Sequence, residues 1–342
     1  MQITVNTQGQ YTITIKQGAI AQLNERIKSV TKAKKVAIIS DDKVFALYGE
    51  MVKNLLLEDF SVSTFVFTAG ESSKNWQILG NILEFLAEEG LDRNDCLLAL
   101  GGGVVGDITG LAAALYLRGI DYLAVPTTLL AQVDASVGGK TAIDLKAGKN
   151  LAGAFYQPKA VICDVNFLAT LPQEEFACGM AEIIKYAIGF DKELYQMLLD
   201  GKENLEQIIL RAIEIKRDIV QKDERDENMR QMLNLGHTFG HSVEVCSGFT
   251  LKHGAAVSIG LSLICRAFRC EFIEEVECLL RRYHLPTECP YAWSEIYRNM
   301  LADKKKRGDE IALIVPFEIG NCRIQRVSLQ ELEQLTKEAC GK

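Results

Sequence analysis

Three of the four histidines fall within residues 237–253. Asn234-Leu-Gly-His237-Thr-Phe-Gly-His241 sets His237 and His241 one helical turn apart. A helix through this stretch would carry Arg230, Asn234, His237 and His241 on one face. Such a face is too polar for a core and too specific for bulk solvent. His253 follows in Leu251-Lys-His253-Gly254, at the start of an apolar run. Two neutral imidazoles and one carboxylate can hold a zinc ion and leave a position open for substrate oxygens. Glu182, in Gly179-Met-Ala-Glu182-Ile-Ile-Lys185, is the carboxylate candidate, because its apolar flanks suit a solvated face poorly. Lys185 lies at i+3, so a plain ion pair on a helix surface is the competing reading. For any one of these histidines, a hydrogen-bonded structural role competes in the same way.

A second chemistry belongs to Gly101-Gly-Gly-Val-Val-Gly106-Asp107, between an apolar run and a helical pattern. Glycines there let the backbone approach a phosphate, and helix N-terminal amides favour its charge. The motif lies on about the third strand, not the first as in an ordinary dinucleotide fingerprint, and no clean acidic residue ends the next strand. A ribose-binding carboxylate would come from Asp41 or Asp42 instead. The same letters also suit a tight strand–helix turn. Thr127, Thr128 and the turn Thr68-Ala-Gly-Glu71-Ser-Ser-Lys74 sit where carboxyl-end loops collect ligands, or cap helices. Val133-Asp134-Ala-Ser-Val-Gly-Gly-Lys140-Thr141 and Gly148-Lys149-Asn150 read as a glycine-punctuated loop region. It lacks the spacing of a P-loop, but its amides with Lys140 and Lys149 could hold a phosphate or carboxylate. The run Asp303-Lys304-Lys305-Lys306-Arg307 reads as solvated surface.

The elements that must position these residues alternate in the first half. Short β-branched runs at 35–40, 62–67, 96–100, 121–126 and 161–164 are separated by helical periodicity, as at 76–89. That alternation predicts an α/β fold with a largely parallel sheet. From about residue 166 the pattern turns helical, over 174–189, 191–201, 205–223, 228–248 and 253–272. A small hairpin is expected over 311–315 and 322–327. Two domains follow, 1–165 and 166–342, with ligand expected in the cleft between them.

At 342 residues, two domains are also the prior from length. Hydrophobic residues at 48% and charged residues at 24% are ordinary for a soluble enzyme. A net charge of −7 argues against a nucleic acid partner, which needs a basic surface. No apolar run is long enough to cross a membrane. Met1-Gln-Ile-Thr-Val reads as a strand and not a signal peptide, so the ten cysteines are expected as reduced, cytoplasmic thiols with no assigned chemistry.

Read in order, these motifs resemble the 3-dehydroquinate synthase family over essentially the whole chain. The carrying segments are Gly-Glu71-x-x-Lys74, Gly101 to Asp107, Val-Pro-Thr127-Thr128 through Lys140, Gly-Lys149-Asn150, Met-Ala-Glu182-Ile-Ile-Lys185, Asn234 to His241 and His253-Gly. The resemblance implies a Rossmann-like NAD-binding domain, then a mainly helical metal-binding domain. It implies a lyase of the shikimate pathway to chorismate and aromatic amino acids. Such an enzyme converts 3-deoxy-D-arabino-heptulosonate 7-phosphate to 3-dehydroquinate and phosphate by transient NAD oxidation, phosphate elimination and intramolecular aldol closure. Glu182, His237 and His253 match its zinc ligands (cobalt being an alternative), with His241 beside them. Lys140, Asn150, Lys185, Arg230 and Asn234 match substrate positions, as does one of Lys304 and Lys305, and Asp134 lies in the same motif. Arg118 matches a phosphate-binding arginine supplied by the partner subunit, which implies a homodimer. Asp41, Glu71, Lys74, Gly103, Val104, Asp107, Thr127, Thr128, Lys140, Lys149 and Thr170 match the NAD site. The chain departs from the family pattern at Ala255, Asp144 and Lys43, where the family usually has Glu, Asn and Asn. Other sugar phosphate cyclases, metal-dependent alcohol dehydrogenases and a non-catalytic binding protein are the rival readings.

Overall fold

The computed structural model describes residues 1–7, 9–201, 204–302, 306–307 and 310–341. Contacts divide it into two compact units. One comprises Met1–Leu171 with Lys216–Arg225, the other Pro172–Ile215 with Asp226–Lys342.

The first unit is built on β1 (Gln2–Asn6), β2 (Gln10–Ile15), β3 (Lys35–Asp41), β4 (Ser61–Phe67), β5 (Cys96–Gly101), β6 (Asp121–Pro126), β7 (Lys140–Leu145), β8 (Gly148–Phe155) and β9 (Ala160–Cys163). Seven of these form one sheet in the order β1-β2-β9-β6-β5-β3-β4. All its pairings are parallel except β1 with β2. β5 is buried along its whole length, as expected of a parallel strand covered on both faces. Its side chains alternate between two cores. Leu97 and Ala99 join Ala37 and Ile39 beneath helices Trp76–Glu88 and Gly103–Leu115. Cys96, Leu98 and Leu100 join Val36 and Ile38 beneath helices Leu23–Val30 and Glu50–Leu57. Each fully buried Leu or Ile contributes roughly 1.5–3 kcal/mol relative to exposure, so this two-faced burial holds the sheet in place.

The stretch after Lys140 corrects the sequence reading. β7 and β8 form an antiparallel pair, not a loop. Thr141 and Ile143 point inward on the strand period, which the surrounding charges and glycines obscure. Its glycines serve close packing. A Cβ on Gly153 would sit 2.1 Å from the Thr141 carbonyl, and one on Gly110 would sit 2.4 Å from Thr141 Cγ2.

The second unit is mainly helical. Its helices are Gln173–Phe190, Lys192–Asp200, the first part of Leu205–Lys222, His237–Cys246, His253–Ala267, Ile273–Arg282, Trp293–Ala302 and Leu329–Cys340. Strands Glu310–Glu318 and Asn321–Ser328 pair antiparallel around Gly320, as expected. Among the described residues no helix is long and apolar enough to cross a membrane. The expected helix over 228–248 is broken. Met229–Asn234 is a tight 3₁₀ turn, Leu235 is extended (φ −52, ψ 126) and Gly236 is left-handed (φ 76). Arg230 and Asn234 therefore do not share one continuous helical face with His237 and His241.

Candidate metal and nucleotide sites

Glu182 lies in the middle of helix Gln173–Phe190, while His237 and His253 each open the helix that bears them. One ligand atom from each lies within 4.8 Å of the other two. Glu182 Oε1 stands 3.6 Å from His237 Nε2 and 3.4 Å from His253 Nε2. Zinc bonds of about 2.0–2.1 Å in a tetrahedral array set neighbouring ligand atoms roughly 3.3–3.4 Å apart, so the spacing fits. The donor chemistry fits as well. His237 Nδ1 lies 3.1 Å from the Leu235 carbonyl, which can only accept. That puts the ring proton on Nδ1 and leaves a lone pair on Nε2. Glu182 Oε1 is buried and accepts no hydrogen bond. A buried anionic oxygen facing the His237 lone pair is unfavourable unless a cation joins them.

Three backbone contacts bring these residues together. A Cβ on Gly254 would sit 2.3 Å from Cys178 Cα, so the helix that His253 opens presses on the helix bearing Glu182, one turn ahead of it. A Cβ on Gly260 would meet the Gly236 carbonyl at 2.1 Å and the Gly240 amide at 2.7 Å. Gly240 in turn faces the Ala256 carbonyl, 3.0 Å from where its Cβ would lie. Only glycines permit helices His237–Cys246 and His253–Ala267 to cross this closely.

Charge is arranged around the ligands. Lys185 is buried and pairs with Glu182 Oε2, and its Nζ lies 4.4 Å from the Tyr186 ring centroid. Burial opposes the Glu182 charge, yet Lys185 and the histidines hold its carboxyl well below the usual range. Burial keeps the His237 imidazole well below its ordinary value. Burial would also depress His253, but the Glu182 and Glu244 carboxylates outweigh it and push the imidazole up to about 10. The His241 ring stands 5.3 Å from that of His237 and 6.4 Å from that of His253. Arg230 is buried in the 3₁₀ turn, and Asn234 at its end lines a small hollow with Phe239 and Leu313.

In the first unit, β5 runs into Gly101-Gly102-Gly103 and then helix Gly103–Leu115, which also carries Val104. A small hollow lies here, lined by Gly101, Gly103, Gly106, Asp107, Ser136 and Lys140. The Thr127 amide donates to the Gly101 carbonyl at 3.0 Å, and its buried hydroxyl has no partner. Thr128 Oγ1 accepts from the Ala131 amide and Asp41 from the Lys43 and Val44 amides, so both act as caps. Lys74 is buried, pairs with Asp107 at 2.6 Å and donates to Asn150. Burial pushes the Asp107 carboxyl up to about 6, with Lys74 pulling the other way. Glu71 lies 3.9 Å from Lys74, and Thr170 pairs with the Tyr48 hydroxyl. Lys149 and Asn150 begin β8, and Lys140 begins β7. Arg118 is exposed beside Leu117, both in left-handed backbone (φ 65 and φ 50). Lys304 and Lys305 lie outside the described residues.

Residues 64–178 match the family model for the 3-dehydroquinate synthase N-terminal domain, and residues 179–306 match that for its C-terminal domain. The chain belongs to the 3-dehydroquinate synthase family.

Members named 3-dehydroquinate synthase include one from Streptococcus mutans, 40% identical over 95% of this chain and 96% of its own length. Another, from Pelobacter propionicus, is 41% identical over 98% of both chains. Among solved structures, a 2-epi-5-epi-valiolone synthase from Streptomyces hygroscopicus, holding NAD+ and Zn2+, is 28% identical and superposes with a TM-score of 0.87 over 99% of both chains. A glycerol dehydrogenase from Schizosaccharomyces pombe, at 14% identity and a TM-score of 0.65 over 96% of this chain and 88% of its own, shares the fold. Of the departures from the family pattern, Asp144 accepts from the Asn150 amide at 2.8 Å, and the Lys43 amide donates to Asp41. Ala255 sits in the first turn of the helix that His253 opens.

Two polar residues escaped the sequence reading. Lys216 is buried and grips the Asp134 carboxylate at 2.8 Å and its carbonyl at 2.6 Å. Glu244 is buried and lies 3.1 Å from His253 Nδ1. Nothing in Ile215-Lys216-Arg217 marks that lysine. Glu244 carries a signal, since it follows His237 by seven residues and so returns to the same helical face.

Proposed function

We propose that the chain converts 3-deoxy-D-arabino-heptulosonate 7-phosphate into 3-dehydroquinate with release of phosphate, using NAD and a divalent metal. The observation that carries the reading is the triad Glu182, His237 and His253, with one bare carboxylate oxygen facing two imidazole nitrogens. The full-length relatives named 3-dehydroquinate synthase support it. We assign NAD to the α/β unit and the metal, zinc or cobalt, to the helical unit.

When bound, the metal supplies Lewis acidity and NAD takes and returns a hydride within one turnover, so neither is consumed. The protein supplies positioning and charge. Glu182, His237 and His253 form the ligand set, and Lys185 neutralises Glu182 while offering an ammonium to substrate oxygen. Arg230 and Asn234 are assigned to substrate beside them, and Asn150 and Asp134 to the same ligand. His241 is the group assigned to move a proton at an imidazole nitrogen. Lys140 and Arg118 are assigned to the phosphate, as charge-assisted donors to an anion. Arg118 comes from the partner of a homodimer. Gly103, Val104 and the Thr127 hydroxyl would serve NAD with Thr128, Asp41, Glu71, Lys74, Asp107, Lys149 and Thr170. A cytoplasmic location is part of the proposal.

The test mixes the protein with zinc, catalytic NAD and the heptulosonate phosphate, and follows phosphate and dehydroquinate together. Equal release with no NADH accumulating is expected. Stoichiometric NADH would turn the reading to an alcohol dehydrogenase. Silence here with turnover of another sugar phosphate would move it to a sister cyclase.

A further inference from the structure

We infer that Glu244 is the positioning residue that fixes His253 as a metal ligand, by accepting a hydrogen bond from its Nδ1–H and so leaving Nε2 free to face Glu182 and His237. The inference rests on the metal reading above and adds a fourth side chain to that centre.

His253 is an imidazole held between two carboxylates. Its Nδ1 is 3.1 Å from Glu244 Oε1 and its Nε2 is 3.4 Å from Glu182 Oε1. A neutral imidazole has one proton, and which nitrogen bears it decides whether the ring can bind a cation through Nε2. For His237 the Leu235 carbonyl makes that choice. His253 opens its helix, and the group facing its Nδ1 is the Glu244 carboxylate. An anionic acceptor holds the Nδ1–H more strongly than a carbonyl does and makes the opposite nitrogen a better donor to a metal.

Burial argues for the same role. Glu244 is 6% exposed, on a helix whose buried residues also include Phe239 and Val243. A carboxylate is costly to bury unless it is hydrogen-bonded or paired with charge. It stands two turns after His237 on the stripe that carries His241, so one helix presents a ligand and, further along, the group that orients the other histidine. The close crossing of this helix with the next, through Gly240 and Gly260, holds Glu244 against His253. Toward a bound dication, Glu244 adds a negative charge one imidazole away, where the Glu182 charge is already matched by Lys185.

The full-length chain is tested by zinc affinity against a competing chelator and by the visible absorption of the cobalt form. Glu244→Ala is expected to weaken zinc binding roughly 10–100-fold and to shift the cobalt bands. Glu244→Gln, which keeps an acceptor without the charge, is expected to lie between it and the native chain. Native affinity and bands in Glu244→Ala would overturn the inference, as would a Gln variant no better than Ala. If Glu244→Ala does not fold, the imidazole Nδ1–H proton resonance of His253 decides. It should move upfield in the zinc form of Glu244→Gln, and an unmoved resonance would overturn the inference. His237→Ala is the control. If the native chain takes up zinc no better than His237→Ala, the metal reading itself fails; if only the Glu244 variants behave as native, the positioning role alone fails.

Discussion

At the scale of single residues, buried polar groups without an internal partner carry the most information. The Thr127 hydroxyl is one, set beside the glycine turn. A buried hydroxyl left unmatched costs roughly 1 kcal/mol or more. Thr127→Val keeps the shape and removes that cost, so Tm without nucleotide should hold or rise by ~2 °C. The same change should raise the KM for NAD about tenfold, the loss of one hydrogen bond. An unchanged KM would remove Thr127 from the nucleotide site. Cys289 offers a second prediction. The neighbouring Cys340 thiol holds it down to about 7, so it forms thiolate at lower pH than an ordinary cysteine. Thiolate is the reactive form, so alkylation of Cys289 should be slow below pH 7 and level off above about pH 8. Cys340→Ala should move that rise to higher pH, as peptide mapping after timed alkylation would read. Residue types and spacing marked Glu182 and the histidine cluster as a candidate metal set, and the family resemblance picked His237 and His253 from it. Lys216 and, despite its seven-residue spacing from His237, Glu244 were passed over, because a charged residue on an amphipathic helix reads as solvated until its neighbours are known.

At the scale of elements, strand runs were the most legible, because parallel strands buried on both faces leave unbroken apolar segments such as Cys96–Gly101. The pair β7 and β8 was hidden by glycines that mimic loop punctuation, and the break at Leu235–Gly236 by letters that also suit a helix. Both are places where tertiary contact overrides local preference. Glycine accordingly has opposite consequences at two positions. Gly260→Ala would drive a methyl into the Gly236 carbonyl at 2.1 Å, and overpacking of this kind costs typically 1–3 kcal/mol. Calorimetry should show Tm lowered by several degrees, with zinc affinity falling because the His237 and His253 helices are pushed apart. Gly80 lies in helix Trp76–Glu88 with nothing within 4 Å of its would-be Cβ. Gly80→Ala should stabilise by ~0.5–1 kcal/mol and leave zinc binding alone. If both substitutions act alike, helix crossing does not set the metal geometry.

At the scale of the whole molecule, the homodimer assignment makes a prediction that no single-chain variant can test. If Arg118 acts on the partner's substrate, Arg118→Ala and His237→Ala chains should each be inactive. Mixed dimers then form one site with both an intact metal set and an intact arginine. Refolding the two variants together should restore up to about a quarter of native activity, because half the dimers are mixed and each has one competent site. Absence of rescue would place Arg118 within its own subunit's chemistry or outside the site.

The chain enters the second unit at Pro172, returns to the first for Lys216–Arg225, and leaves it again. Lys216, which grips the Asp134 carboxylate, lies in that returning segment. A ribosome that has delivered residues 1–171 has therefore not delivered everything the first unit contains. Its last pieces emerge some fifty residues later, after helices Gln173–Phe190 and Lys192–Asp200 have been made. Nascent chains must keep the Asp134 turn waiting for its lysine, and a gene cut at residue 171 would encode a unit that never receives it.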